Sequence, residues 1–108
     1  MKVTKGVSKP HRDSAVEQNE RLQKAVKEFM EAIKLNPNDA KFHINLGSLW
    51  YGLDRFDEAE NEYRDAIKID PNYADAHLNL GVLLYNLQRY KESVKEFREL
   101  IRILNYLK

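Results

Sequence analysis

The chain has 108 residues, a formal net charge of +1, 18 lysines and arginines, 17 acidic residues and no cysteine. This length allows one small domain, and the lack of cysteine excludes disulfides, thiolate metal sites and thiol nucleophiles. No apolar run approaches the roughly 20 residues of a membrane-spanning helix, and the first ten residues lack the apolar stretch of a secretory signal. We therefore expect a cytoplasmic protein.

The amino-terminal third divides into two parts. Residues 1–12 show no hydrophobic periodicity, so we expect a disordered arm there. From residue 13 to residue 35 the apolar positions have helical spacing. Residues 19–23 contain no strong turn former, so the segment is either one long helix or a hairpin whose first arm has lost its pattern. The sequence leaves both alternatives open.

The rest of the chain repeats with a period of 34 residues. Residues 40–73 and 74–107 are identical at 14 of 34 aligned positions. Each copy holds two stretches of helical spacing, separated by a short polar turn. Pro37 and Pro71 end the helices before them, whereas Asn105 stands where the second copy would have its proline. A period of this length predicts an all-α solenoid of helix hairpins that ends with residues 74–107.

Within each copy, small and aromatic residues recur at fixed places. The first copy has His43, Leu46, Gly47, Trp50, Ala59, Tyr63, Ala66 and Pro71, and the second has His77, Leu80, Gly81, Leu84, Ser93, Phe97 and Leu100. Small residues let two helices cross closely, and aromatic rings fill the space beside them. This pattern resembles the tetratricopeptide repeat family. The resemblance implies a right-handed superhelical array of antiparallel helix hairpins, about two and a half repeats long, in which residues 13–37 are a degenerate or half repeat.

The resemblance also implies that the protein is an interaction scaffold, with a peptide or partner helix bound in a concave groove. The groove is expected to be lined by Lys41, Ile44, Asn45, Ser48 and Tyr51, followed by Asp75, Leu78, Asn79, Val82, Tyr85 and Asn86. Asn45 and Asn79 lie one repeat apart, and an amide can both donate to and accept from a peptide backbone. A polar helix surface without a ligand explains them as well. Asp75 replaces a lysine of the family's carboxylate-binding members, so a carboxylate tail is disfavoured.

An alternative function is self-association through the last helix. Ile101, Leu104 and Leu107 are apolar, and no polar capping helix follows them in this sequence. Repeat arrays normally need such a cap for solubility. These residues predict a homo-oligomer, and a designed or excised array without its own partner is a third alternative.

No catalytic motif or cofactor site is expected. His43 and His77 occupy the same place in successive units and lack obvious further metal ligands, which favours a packing role. The basic residues do not form one patch interleaved with aromatics, so we expect no nucleic-acid partner. The chain is predicted not to be an enzyme.

Overall fold

The computed structural model describes the backbone of residues 2–106 and the side chains of residues 14–106. Within residues 2–106 the chain forms five helices and no strand, which confirms the all-α prediction. The helices are α1 (Lys2–Leu35), α2 (Ala40–Gly52), α3 (Phe56–Ile69), α4 (Ala74–Asn86) and α5 (Tyr90–Tyr106). Right-handedness of the array stays a prediction.

The helices pack as two hairpins in a row. Helix α2 packs on α3 and α4 packs on α5, while α1 lies against α2 and α3 against α4. Each hairpin turns at a residue with left-handed backbone, Asp54 at φ 61° and Gln88 at φ 64°. The backbone N–H of Asp54 donates to the Tyr51 carbonyl at 3.0 Å, and that of Gln88 donates to the Tyr85 carbonyl at 2.9 Å. The two turns therefore repeat in detail as well as in length.

The connections between hairpins follow the predicted proline stops. Helix α3 ends at Ile69, and Asp70 and Pro71 lead into α4. Before α2, the Asp39 carboxylate accepts a hydrogen bond from the backbone N–H of Lys41 at 3.0 Å and caps the helix. Helix α5 lacks such a stop and continues through Tyr106.

Helix α1 shows which of the two alternatives holds for residues 13–35, and it differs from the prediction for residues 2–12. It runs without interruption to Leu35, so residues 13–35 are a single helix and not a hairpin. Its backbone is also helical over residues 2–12, where the sequence predicts a disordered arm. Because a helix that is already nucleated elongates at little cost per residue, it can extend past its last packing contact. Residues 14–21 are all exposed, so this part of α1 lies outside the core.

Close packing at small residues holds the hairpins together. Ala59 and Ala66 of α3 are fully buried. A Cβ added to Gly47 would lie 2.7 Å from the Tyr63 ring, and one added to Gly81 would lie 2.6 Å from the Phe97 ring. The small residues thus stand where helices cross, as the repeat pattern indicates.

No helix among the described residues combines the length and the apolar character required to cross a bilayer.

Candidate functional site

The open side of α2 carries three of the predicted groove residues. Lys41, Asn45 and Ser48 are exposed. The Ser48 hydroxyl lies 3.1 Å from the Tyr63 hydroxyl, which ties this edge of α2 to α3. Within residues 14–106, the Asn45 side chain makes no hydrogen bond, so its amide is available to a ligand.

The matching side of α4 is also polar. Asp75 and Asn86 are exposed and Asn79 is half-buried. The Asn86 amide donates to the Tyr51 hydroxyl at 2.6 Å and so links the two repeats. The Asn79 amide, like that of Asn45, has no side-chain hydrogen bond among the described residues. The predicted groove residues of α2 and α4 that are polar thus give a strip with two amides one repeat apart.

The apolar residues predicted for the groove do not form one surface. Ile44 is only 7% exposed and belongs to the core, so it does not line an open groove. Its counterpart one repeat later, Leu78, is 41% exposed. Tyr51 is half-buried against Phe56, with ring centroids 5.3 Å apart, whereas Tyr85 is exposed. Helix α4 covers the first repeat, and no described helix covers the second.

Two of the three residues predicted for self-association are exposed on α5. Ile101 and Leu104 are 57% and 50% exposed, while Ile103 between them is buried. Leu107 lies outside the described residues. Val82 and Tyr85 of α4 are exposed as well, at 41% and 58%.

The two histidines of the repeats link helices. His77 Nδ1 lies 2.8 Å from a Glu96 carboxylate oxygen, and its Nε2 donates to the Pro71 carbonyl at 2.7 Å. His43 makes the same two contacts one repeat earlier, 2.8 Å from Glu62 and 3.4 Å from the Pro37 carbonyl. Each imidazole thus joins the first helix of a hairpin to its second helix and to the preceding loop.

One group of side chains has the composition of a metal site. Ligand atoms of His43, Glu62 and Asp65 lie within 4.8 Å of one another. Because the contact between His43 and Glu62 recurs between His77 and Glu96, we attribute this group to packing between the helices of a hairpin.

An ion-pair network on the outer surface was missed by the sequence analysis. Arg89 donates to Glu60 at 2.7 Å and to Glu92 at 2.8 Å, and Arg64 reaches both carboxylates. The hydrogen bonds from Arg89 lower the pKa values of Glu60 and Glu92. Glu60 and Arg89 are 29 residues apart, and no local pattern connects them. The network bridges α3 to the second hairpin.

The equivalent place one repeat earlier, between α1 and the end of α2 with the turn that follows it, is an open cleft, also missed from the sequence. It has a volume of about 450 Å³, and Val26, Met30 and Trp50 contribute to its lining. Val26 and Met30 stand one repeat before Glu60 and Arg64, so apolar side chains replace the ion pairs here. The Arg55 guanidinium lies 5.2 Å from the centre of the Trp50 ring system, in a cation–π contact at the edge of the cleft.

Comparisons with solved structures support the repeat architecture. The Arabidopsis OM64 TPR domain is 32% identical with a TM-score of 0.73, and the match covers 83% of this chain and 74% of that one. MamA is 25% identical with a TM-score of 0.78, over 86% of this chain and 54% of MamA. This chain therefore spans about half the length of MamA.

A third structure, the second TPR of Spaghetti (RPAP3) bound to the HSP90 peptide SRMEEVD, shares the fold at 18% identity. Its TM-score is 0.72, and the match covers 90% of each chain. A comparison with curated proteins found no match.

Profiles of repeat families match most of the sequence. A TPR repeat profile matches residues 51–88, and tetratricopeptide repeat profiles match residues 15–39 and 74–105. With the 32% identity to the OM64 domain, they show that the chain belongs to the tetratricopeptide repeat family.

Proposed function

We propose that the chain is a protein-interaction module that binds a peptide or partner helix on the concave strip of α2 and α4. The observation that carries this proposal is the pair Asn45 and Asn79. They occupy the same slot of successive repeats, and neither amide is used in a side-chain hydrogen bond among the described residues. The fold neighbour that binds the HSP90 peptide supports a ligand of this kind.

The ligand is bound mainly through its backbone. An amide side chain offers two donors and one acceptor, so Asn45 and Asn79 can each pair with a peptide group without reading the side chain. Lys41 and Asp75 add one charge of each sign to the strip. Asp75 repels carboxylates, which disfavours an acidic tail such as SRMEEVD and favours an extended or helical segment without clustered acidic side chains.

The test is a peptide-library screen on the full chain, followed by titration of the best peptide. Replacing both Asn45 and Asn79 by alanine is expected to weaken binding about 10- to 100-fold, because each net hydrogen bond contributes about 0.5–1.5 kcal/mol. Asn61→Ala, an exposed asparagine on α3, is the matched control and is expected to bind as the parent does. Binding that survives the double substitution, or that shifts amide signals around Glu58 on α3, would move the site to the outer face.

Self-association is the second candidate function, favoured by the exposure of Ile101 and Leu104. A molar mass that rises with concentration, and that returns to the monomer value on replacing both residues by lysine, would support it. A strict monomer at high concentration contradicts it.

A further inference from the structure

The cleft between α1 and the end of α2 is lined by apolar and basic side chains. Its charged lining residues among the described part of the chain are Lys27 and Arg55, and both are basic. Val26, Met30 and Trp50 give it apolar surface. A cavity of about 450 Å³ with this lining suits a small organic anion.

The second hairpin shows how a carboxylate is held at the corresponding place. Arg89, the counterpart of Arg55, donates from Nη1 and Nη2 to the two carboxylate oxygens of Glu60 at 2.7 and 3.1 Å. Its Nε donates to Glu92 at 2.8 Å at the same time. The Glu60 side chain is only 14% exposed in this contact. The repeat therefore has a position where a carboxylate meets an arginine and is partly shielded from water.

In the cleft, no side chain of the described residues supplies this carboxylate. Val26 stands one repeat before Glu60. Arg55 keeps only the other contact, because its one side-chain hydrogen bond among these residues goes from Nη2 to Glu58, the counterpart of Glu92. An arginine fork binds a carboxylate through two parallel N–H···O bonds. Arg55 can thus bind a second carboxylate as Arg89 does.

The Trp50 ring holds the Arg55 guanidinium at the cleft. The two groups lie 5.2 Å apart, whereas the second hairpin has Leu84 at the position of the tryptophan. The N–H donors of a guanidinium lie at the edge of its plane, so a ring against its face leaves them available to a carboxylate. An arginine fixed in this way also loses less rotamer freedom when it binds a ligand.

A second cavity adjoins the cleft and extends its apolar lining toward α3. It has a volume of about 330 Å³ and shares Met30 and Trp50 with the cleft. Ile33 adds further apolar surface, whereas Glu58 and Glu62 make part of this second cavity acidic. A ligand is therefore favoured to place its carboxylate in the first cavity and its apolar body toward the second.

We propose that the cleft binds a small organic acid with an apolar body. The carboxylate pairs with Arg55 in the way that Glu60 pairs with Arg89, and the body lies on Met30 and Trp50. Lys27 adds a second positive charge to the lining. This site is independent of the concave strip of α2 and α4.

The probe is 4-phenylbutyrate, titrated into the full-length protein. Its controls are 4-phenylbutylamine, which has the same apolar body with a positive charge, and acetate, which has the carboxylate without the body. Trp50 is the only tryptophan of the chain, so its fluorescence reports on the cleft. We expect saturation by 4-phenylbutyrate in the millimolar range or below, and binding about tenfold weaker or more for each control.

Replacing the arginine tests the proposed ion pair. Arg55→Met is expected to raise the dissociation constant of 4-phenylbutyrate about tenfold or more. Arg102→Met is the matched control, because the Arg102 side chain is 54% exposed against 55% for Arg55 and also pairs with a glutamate three residues away. Since Arg102 lies on α5, away from the cleft lining, this control should change the dissociation constant by less than about twofold.

A double variant places the ion pairs of the second hairpin in the cleft. Val26→Glu with Met30→Arg gives Arg55 a carboxylate partner within the chain, as Arg89 has. We expect this variant to lose binding of 4-phenylbutyrate although Arg55 is still present.

Melting curves verify that the variants fold, and Arg55→Met remains the deciding test if the double variant does not fold. Binding that is unchanged when Asn45 and Asn79 are both alanine would support a site separate from the concave strip. Equal affinity for 4-phenylbutyrate and 4-phenylbutylamine, equal affinity for acetate, or a dissociation constant unchanged by Arg55→Met would each overturn the proposal. Binding that persists in a folded double variant would overturn it as well.

Discussion

Replacing Gly81 by alanine tests the close crossing of α4 and α5. The added Cβ would lie 2.6 Å from Cε1 and 2.8 Å from Cδ1 of Phe97. Carbon atoms prefer separations of about 3.5–4.0 Å, so the ring must move away. Overpacking of this kind costs about 1–3 kcal/mol, and the better helix propensity of alanine offsets about 1 kcal/mol of it.

The expected net loss is therefore about 0–2 kcal/mol in the free energy of unfolding, which lowers the melting temperature by up to roughly 15 °C for a domain of this size. Thermal melts followed by circular dichroism measure it. Gly52→Ala is the matched control, because its Cβ would lie 3.4 Å from Leu22 Cδ1, in ordinary contact. We expect Gly52→Ala to melt at or slightly above the parent temperature.

A second variant separates the clash from other effects of the alanine. Phe97→Leu shortens the side chain that the new methyl group meets. The double variant, Gly81→Ala with Phe97→Leu, should therefore lose less stability than the sum of the losses of the two single variants. If Gly81→Ala melts as high as Gly52→Ala, the crossing is not as tight as the structure indicates and the reasoning is refuted.

Two further predictions concern the polar contacts between helices. His77→Phe leaves the Glu96 carboxylate without the partner it has at 2.8 Å, so we expect urea unfolding to show a loss of about 1.5–3 kcal/mol, with a smaller loss for His77→Gln; equal losses would contradict this role. The pKa of Glu60 is below its ordinary value of 4.5, chiefly because of hydrogen bonds from Arg89. The stabilisation is then present above the unfolded-state pKa and lost as pH falls through the folded-state pKa. Arg89→Met should lower the free energy of unfolding at pH 7 by on the order of 1 kcal/mol. The variant should also lose less stability than the parent when the pH falls below 4.5, because the pair is already absent. An unchanged acid dependence in urea titrations at several pH values would count against the pair.

Secondary structure and repeat register were accessible from the sequence because both depend on local spacing. The 34-residue period placed the hairpins, and Pro37 and Pro71 placed the ends of two helices. The same spacing identified Gly47 and Gly81 as close-contact positions, since a glycine in a repeated slot of a helix has few other reasons to recur. The sequence could not decide between a hairpin and one helix for residues 13–35, where the repeat pattern is lost.

Exposure and pairing were decided only by the tertiary structure. Ile44 and Leu78 occupy the same slot and appeared equivalent in the sequence, yet one is core and the other surface, because α4 covers only the first. The Glu60–Arg89 pair depends on where two side chains 29 residues apart meet in space. A repeat determines which face of a helix is apolar, but whether that face is buried depends on the neighbouring helix that packs on it.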